Sequence, residues 1–157
     1  MSSHKTDLHN VRKESFNPKS LLLCVIDELQ PVLENRHLFV TCIAKGCADE
    51  IITDSEGLHQ IINTLLCDIS ANMSHGEIEV LMESNFCEPD NLLLMIRGTK
   101  WLIPEAKLSK LFSRKGSDLS KVKSLVKQLG GSIKAENGIG KGTAFVIFLP
   151  VKYLASL

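Results

Sequence analysis

The chain has 157 residues, 44% of them apolar and 23% charged, and its 18 basic side chains balance 18 acidic ones. This is the make-up of one ordinary globular domain, long enough to bury a core. No apolar run approaches the roughly 20 residues needed to span a bilayer, and residues 1–8 are too polar for a signal peptide, so the expected location is the cytoplasm, without membrane contact.

Residues 1–15 are polar and aperiodic and read as a disordered N-terminal arm. A helix is predicted from Pro18, with Asn17 as its cap and Leu21, Leu22, Val25, Ile26, Leu29, Val32 and Leu33 on one broad face. Pro31 should kink it or end its regular part. His37 to Ala44 is β-branched and aromatic, the pattern of a strand, and a brief second strand follows at Ile51 and Ile52. Asp54 is placed to cap a long helix, because Leu58, Ile61, Ile62, Leu65, Leu66 and Ile69 follow at helical spacing. Ser74-His75-Gly76 breaks it.

Ile78, Val80 and Met82 then alternate with Glu77 and Glu79 as a half-exposed strand. After the turn Pro89-Asp90-Asn91, the unbroken apolar run Leu92 to Ile96 reads as a strand covered on both faces. Pro104 and Glu105 open a short helix ending near Phe112. A further helix from about Ser117 buries Leu119, Val122, Leu125, Val126 and Leu129 and stops at Gly130-Gly131. Strands over 132–136 and 143–149 close the chain around Asn137 to Gly142. The sum is a two-layer α/β sandwich over 16–151, a mixed sheet covered on one face by about three helices, with 152–157 as a C-terminal tail.

Cys24, Cys42, Cys47, Cys67 and Cys87 show neither metal-ligand nor redox spacing. Cys24 and Cys67 fall inside apolar helical patterns and are expected as reduced core thiols. The five histidines are scattered, and no structural metal is expected. Between Arg97 and Lys127 nine basic residues face only Glu105 and Asp118. This is either a positive field for an anionic ligand or acidic protein surface, or a merely solvated face.

The run from Gly116 to Pro150 is an amphipathic helix, a Gly-Gly stop, a strand, the turn Gly138-x-Gly140-x-Gly142-Thr143-x-Phe145 and a closing strand. This order resembles the end of the ATP-binding catalytic domain of sensor histidine kinases, the Bergerat-fold or GHKL ATPase module. The likeness covers about Ser15 to Val151. Asp54-x-x-x-Leu58-x-Gln60 resembles the entry to the long helix of that family, with Gly57 in place of an arginine. The resemblance implies that Asp68 stands at the Mg²⁺-binding asparagine and Thr64 at the first asparagine of the same box, while Ala71 replaces a common phosphate-facing lysine. Aspartate is an acceptable oxygen ligand for Mg²⁺. With its partners missing, the preferred reading of Asp68 is a partly exposed helix residue.

The resemblance also lays the adenine motif Asp-x-Gly-x-Gly over Gly98-Thr99-Lys100-Trp101-Leu102. Gly98 offers no carboxylate to an adenine amine, and Lys100 and Leu102 are expected to fill space that glycines would leave to the ligand. Trp101 is either a plug in that vacancy or an aromatic lying on the sheet. Lys110-Leu111-Phe112 resembles the phenylalanine box, but Ser113-Arg114-Lys115 leads at once to Gly116 and leaves little or no lid. Gly116-Ser117-Asp118-Leu119 stands for the second glycine box, where Asp118 adds negative charge at a phosphate position and serves better as a helix cap. His9-Asn10-Val11-Arg12 reads as a chance likeness to a phosphoacceptor box.

Two functions are consistent with this pattern. In the preferred one, the chain is a degenerate histidine-kinase ATPase domain without cofactor, a pseudokinase of two-component or phosphorelay signalling. It contacts a histidine kinase, phosphotransfer protein or response regulator, with Lys107, Lys110, Leu111, Phe112, Arg114 and Lys115 as the surface. In the alternative, ATP and Mg²⁺ bind at Thr64, Asp68, Gly98, Thr99, Lys100 and Gly116, with Lys115 or Lys121 also on phosphate, and the domain phosphorylates a histidine supplied by another domain or chain. Nucleic-acid binding is not expected, since aromatics are scarce among the lysines.

Overall fold

The computed structural model describes residues 9–86 and 89–153. Strand β1 (Lys13–Phe16) leads into helix α1 (Pro18–Glu28), where the Asn17 side chain accepts a hydrogen bond from the Ser20 amide at 2.9 Å. Pro31 ends the regular helix as expected, and the chain resumes as α2 (Gln30–Asn35) with the proline in its first turn, where no amide is needed. Strand β2 (Leu38–Lys45) follows, then β3 (Ile51–Asp54) and the long helix α3 (Ser55–Ala71). Asp54 caps α3 by accepting from the Gly57 amide at 2.9 Å. Leu58, Ile61, Ile62, Leu65, Leu66 and Ile69 are fully buried along one side, each contributing about 2 kcal/mol of hydrophobic stabilisation.

Strands β4 (Gly76–Asn85), β5 (Asn91–Gly98), β6 (Ser132–Gly138) and β7 (Gly142–Pro150) complete a five-stranded sheet of order β2-β4-β5-β7-β6. The β2–β4 pair is parallel and the others antiparallel, so the sheet is mixed. Between β5 and β6 run the short helix α4 (Glu105–Leu108) and α5 (Asp118–Gln128). Helix α3 packs between α1 and α5, and the core lies between this layer and one face of the sheet. The expected two-layer α/β sandwich is therefore the fold.

Five local expectations are corrected. Residues 13–15, assigned to a disordered arm, form β1, and Lys152–Tyr153, assigned to the tail, form β8; the two flank β3 in a second, three-stranded sheet. A four-residue strand with two free edges needs such partners, yet Lys13-Glu14-Ser15-Phe16 carries no alternating pattern to announce them. Residues 1–8 and 154–157 of the arm and tail lie outside the described residues. Leu93 and Met95 are only half-buried, because alternation sends them to the sheet face that no helix covers. The helix at 105 ends at Leu108 rather than near Phe112, and the chain continues in turns to Gly116. Cys24 and Cys67 are exposed: each adjoins inward residues in sequence but lies about 100° around its helix from them.

Candidate functional site

The cleft region is built by α3 from Gln60 to Asp68, the turns after α4 and helix α5 from its start. Gly116 adopts φ +78, a left-handed turn that reverses the chain into α5. Ser117 is the N-cap, accepting from the Ser120 amide at 3.1 Å. The expectation that Asp118 caps this helix is thus corrected, and Asp118 occupies its first turn. There it faces Asp68 on α3: burial, and then the Asp118 carboxylate, push the Asp68 carboxyl above its ordinary range.

Asp68, Arg114, Lys115, Gly116 and Asp118 line an open cleft of about 480 Å³. Thr64 and Gly116 share an adjoining groove of about 530 Å³ between α3 and α5, with His9 and Lys121. Of the six sequence-derived nucleotide positions, the fold therefore brings Thr64, Asp68 and Gly116 together. Thr99 and Lys100 are directed elsewhere. The Thr99 hydroxyl donates to the Glu77 carbonyl at 2.8 Å, fastening the loop to β4, and the aliphatic part of Lys100 lies over Gly76.

Gly98 lies beneath the end of α3. A Cβ there would stand 2.8 Å from Ile69 Cγ2, 2.8 Å from Met73 Sδ and 2.9 Å from Trp101 Cβ, so the space before this backbone is already full. Trp101 is 5% exposed, its ring centroid 5.2 Å from that of Phe145. Trp101 is thus a core aromatic that rests on Phe145 of the sheet. The expectation for Lys100 and Leu102 is corrected, since Lys100 is exposed and Leu102 is 71% exposed to solvent.

The loop that carries Trp101 is held by its neighbours. The Thr143 amide donates to the Trp101 carbonyl at 2.7 Å and the Ile103 amide to Thr143 Oγ1 at 2.9 Å, while Asn137 Nδ2 donates to the Ile103 carbonyl at 2.9 Å. Thr143 Oγ1 in turn donates to Asn137 Oδ1 at 2.5 Å. Backbone and side chains of the glycine-rich hairpin thus staple the 101–103 loop to the sheet, with Thr143 fully buried.

The basic segment is only partly a surface. Lys107, Lys110, Arg114 and Lys115 are exposed, but Arg97 is buried and its Nη1 donates to the Gly142 carbonyl at 2.8 Å. Leu111 and Phe112 are corrected from candidate anchors to half-buried residues packed on the core; the Phe112 ring lies 6.0 Å from Phe145 and beneath the Lys123 ammonium.

Sequence reasoning missed Ile69, on α3, and Met73, just beyond its C-terminal end, as the side chains packed before Gly98. It also dismissed His9, which pairs with the buried Asp54 carboxylate. No local signal could place a residue 45 positions away in sequence against that cap.

A two-layer sandwich with a cleft between its central helix and a helix opened by a glycine turn is the architecture of the Bergerat-fold ATPases. Residues 53–153 match the family described as histidine kinase-, DNA gyrase B-, and HSP90-like ATPase, and the chain belongs to that family. It is similar to the autoinducer 2 sensor kinase/phosphatase LuxQ of Vibrio parahaemolyticus, at 25% identity over 91% of this chain but only 19% of that protein. The chain therefore spans less than a fifth of that relative. Full-length ShkA in complex with AMPPNP superposes with TM-score 0.80 at 16% identity, over 94% of this chain and 33% of that one. The nucleotide-free catalytic domain of histidine kinase ThkA gives TM-score 0.78 at 20% identity, over 88% of this chain and 97% of that one. The Acinetobacter baumannii histidine kinase AdeS gives TM-score 0.76 at 18% identity, over 93% and 71%. At these identities the structural likeness is one of fold.

Proposed function

We propose that this chain is a pseudokinase domain, a histidine-kinase-type ATPase fold that serves two-component or phosphorelay signalling without binding ATP in the family manner. The observation that carries this reading is the filled space before Gly98. Recognition of adenine there would need an acceptor at position 98 and room for a purine beside it. Gly98 has no side chain, and Ile69, Met73 and Trp101 already stand 2.8–2.9 Å from where a Cβ would begin. These residues do not fit a purine.

The phosphate end supports the same conclusion. A helix start attracts anions, but here Asp118 sits in its first turn and faces Asp68, so two carboxylates oppose a triphosphate at the one place where the backbone favours it. The chain from Leu108 to Gly116 is a series of tight turns and forms no long lid. The exposed Lys107, Lys110, Arg114 and Lys115 then serve a protein contact, and a histidine kinase, phosphotransfer protein or response regulator with an acidic face is the fitting partner. No helix among the described residues is long and apolar enough to cross a membrane, and we place the domain in the cytoplasm with those partners.

A second reading rests on the cleft that gathers Asp68, Arg114, Lys115 and Gly116, which would hold Mg²⁺ and a triphosphate tail while leaving the base unrecognised. Calorimetric titration with ATP and Mg²⁺ separates the two. We expect no saturable heat; saturable micromolar binding would overturn the pseudokinase reading.

A further inference from the structure

The two edges of the large sheet differ. Outer edge β6 carries Lys134 and Glu136, paired at 3.5 Å, on its exposed side, the usual protection of a free strand against pairing. Among the described residues, outer edge β2 has no such protection. It runs eight residues without proline or bulge, in unbroken register with β4 from Leu38 to Lys45, and exposes Phe39 by 59% and Ile43 by 56%. Its only charged residue is Lys45, at the end.

The backbone is equally open. The Gly76 amide donates to the His37 carbonyl, so the odd-numbered residues of β2 turn their polar groups to β4, and Val40 and Cys42 present theirs outward. Antiparallel pairing with a second copy about a two-fold axis through Thr41 lets outward-facing Val40 exchange both hydrogen bonds with the other copy's Cys42. The same register sets each Phe39 directly opposite the other copy's Ile43, on one face of the sheet and in the closer, non-hydrogen-bonded pairing. One strand thus supplies both halves of an apolar pair, spaced symmetrically about its own centre, which is what an isologous contact requires.

We propose that β2 is a homodimerisation edge, through which two copies of this chain join their five-stranded sheets into one continuous sheet centred on Thr41. This goes beyond the signalling role above and does not depend on whether nucleotide binds. The test is sedimentation velocity on the full chain over a rising concentration series, with Phe39→Lys and Ile43→Lys as disrupting variants and Ile139→Lys, on the distant hairpin turn, as control. All three positions are exposed, and circular dichroism checks that each variant folds. We expect a reversible dimer whose dissociation constant rises by about tenfold or more in the β2 variants and is unchanged in the control. Thr41→Cys in a Cys42→Ser background should oxidise to a disulfide-linked dimer. A wild-type chain monomeric at millimolar concentration, a dimer indifferent to Phe39→Lys, or a monomer that instead captures an extended peptide at this edge overturns the proposal.

Discussion

At the scale of single residues, the contrast between Gly98 and Leu102 separates a position that the fold has closed from one that it has left alone. Both fall within the stretch laid over the adenine motif, and both depart from it. The hydrogen of Gly98 faces Ile69, Met73 and Trp101 at distances that no real Cβ tolerates, and the nearest atoms include the root of an anchored side chain. Leu102 stands in solvent. Gly98→Ala should therefore destabilise the domain by about 1–3 kcal/mol through overpacking, while Leu102→Ala should change stability by about 0.5 kcal/mol or less. Urea unfolding midpoints of the two variants measure the difference. Equal midpoints would mean that the space before Gly98 is softer than the packing implies.

At the scale of elements, the entry to α3 joins parts of the chain that sequence alone keeps apart. Burial by itself would raise the Asp54 carboxyl, but the Gly57 amide, His9 and the Arg12 amide together outweigh it and hold the group below its ordinary range. A carboxyl lowered in the folded state stabilises the fold above its unfolded value of about 3.9, and that contribution is lost as pH falls through the lower, folded value. Asn at the cap still accepts from Gly57, so Asp54→Asn removes the charge and keeps the cap. The variant should be less stable than wild type at pH 7, with the gap narrowing below about pH 4; a constant gap across an acid titration of the unfolding midpoint would remove the ionised carboxylate from the account. This element also marks how far the sequence was legible. The cap, the buried stripe of α3 and the glycine turns could be read because each is local and periodic, and with them most of the sandwich. Strands β1 and β8 could not, since both exist only as partners of β3, and the approach of Asp118 to Asp68 required knowing that α5 packs beside α3. That position 98 carries no carboxylate was visible in the sequence. Which side chains pack before Gly98 depended on where the fold sets Ile69, Met73 and Trp101.

At the scale of the whole molecule, the question is what completes the core. A domain whose cleft awaits a ligand gains stability by mass action when the ligand binds, by about 2.7 kcal/mol at a hundredfold excess over its dissociation constant. On the pseudokinase reading the chain completes the core with its own side chain: Trp101 rests on Phe145, and the hairpin around Thr143 holds its backbone there. ATP with Mg²⁺ should then leave the melting temperature of the wild-type chain unchanged. Trp101→Gly should cost about 3–5 kcal/mol by opening a cavity walled by Ile69, Met73 and Phe145. Such a cavity is apolar and shaped by an indole, and a closed apolar void binds a small aromatic that fits it. Indole added at millimolar concentration should therefore raise the melting temperature of Trp101→Gly and not that of the wild type. If ATP raised the wild-type melting temperature instead, or indole failed to rescue the variant, the tryptophan would be an ordinary core residue and not a built-in occupant of the nucleotide site.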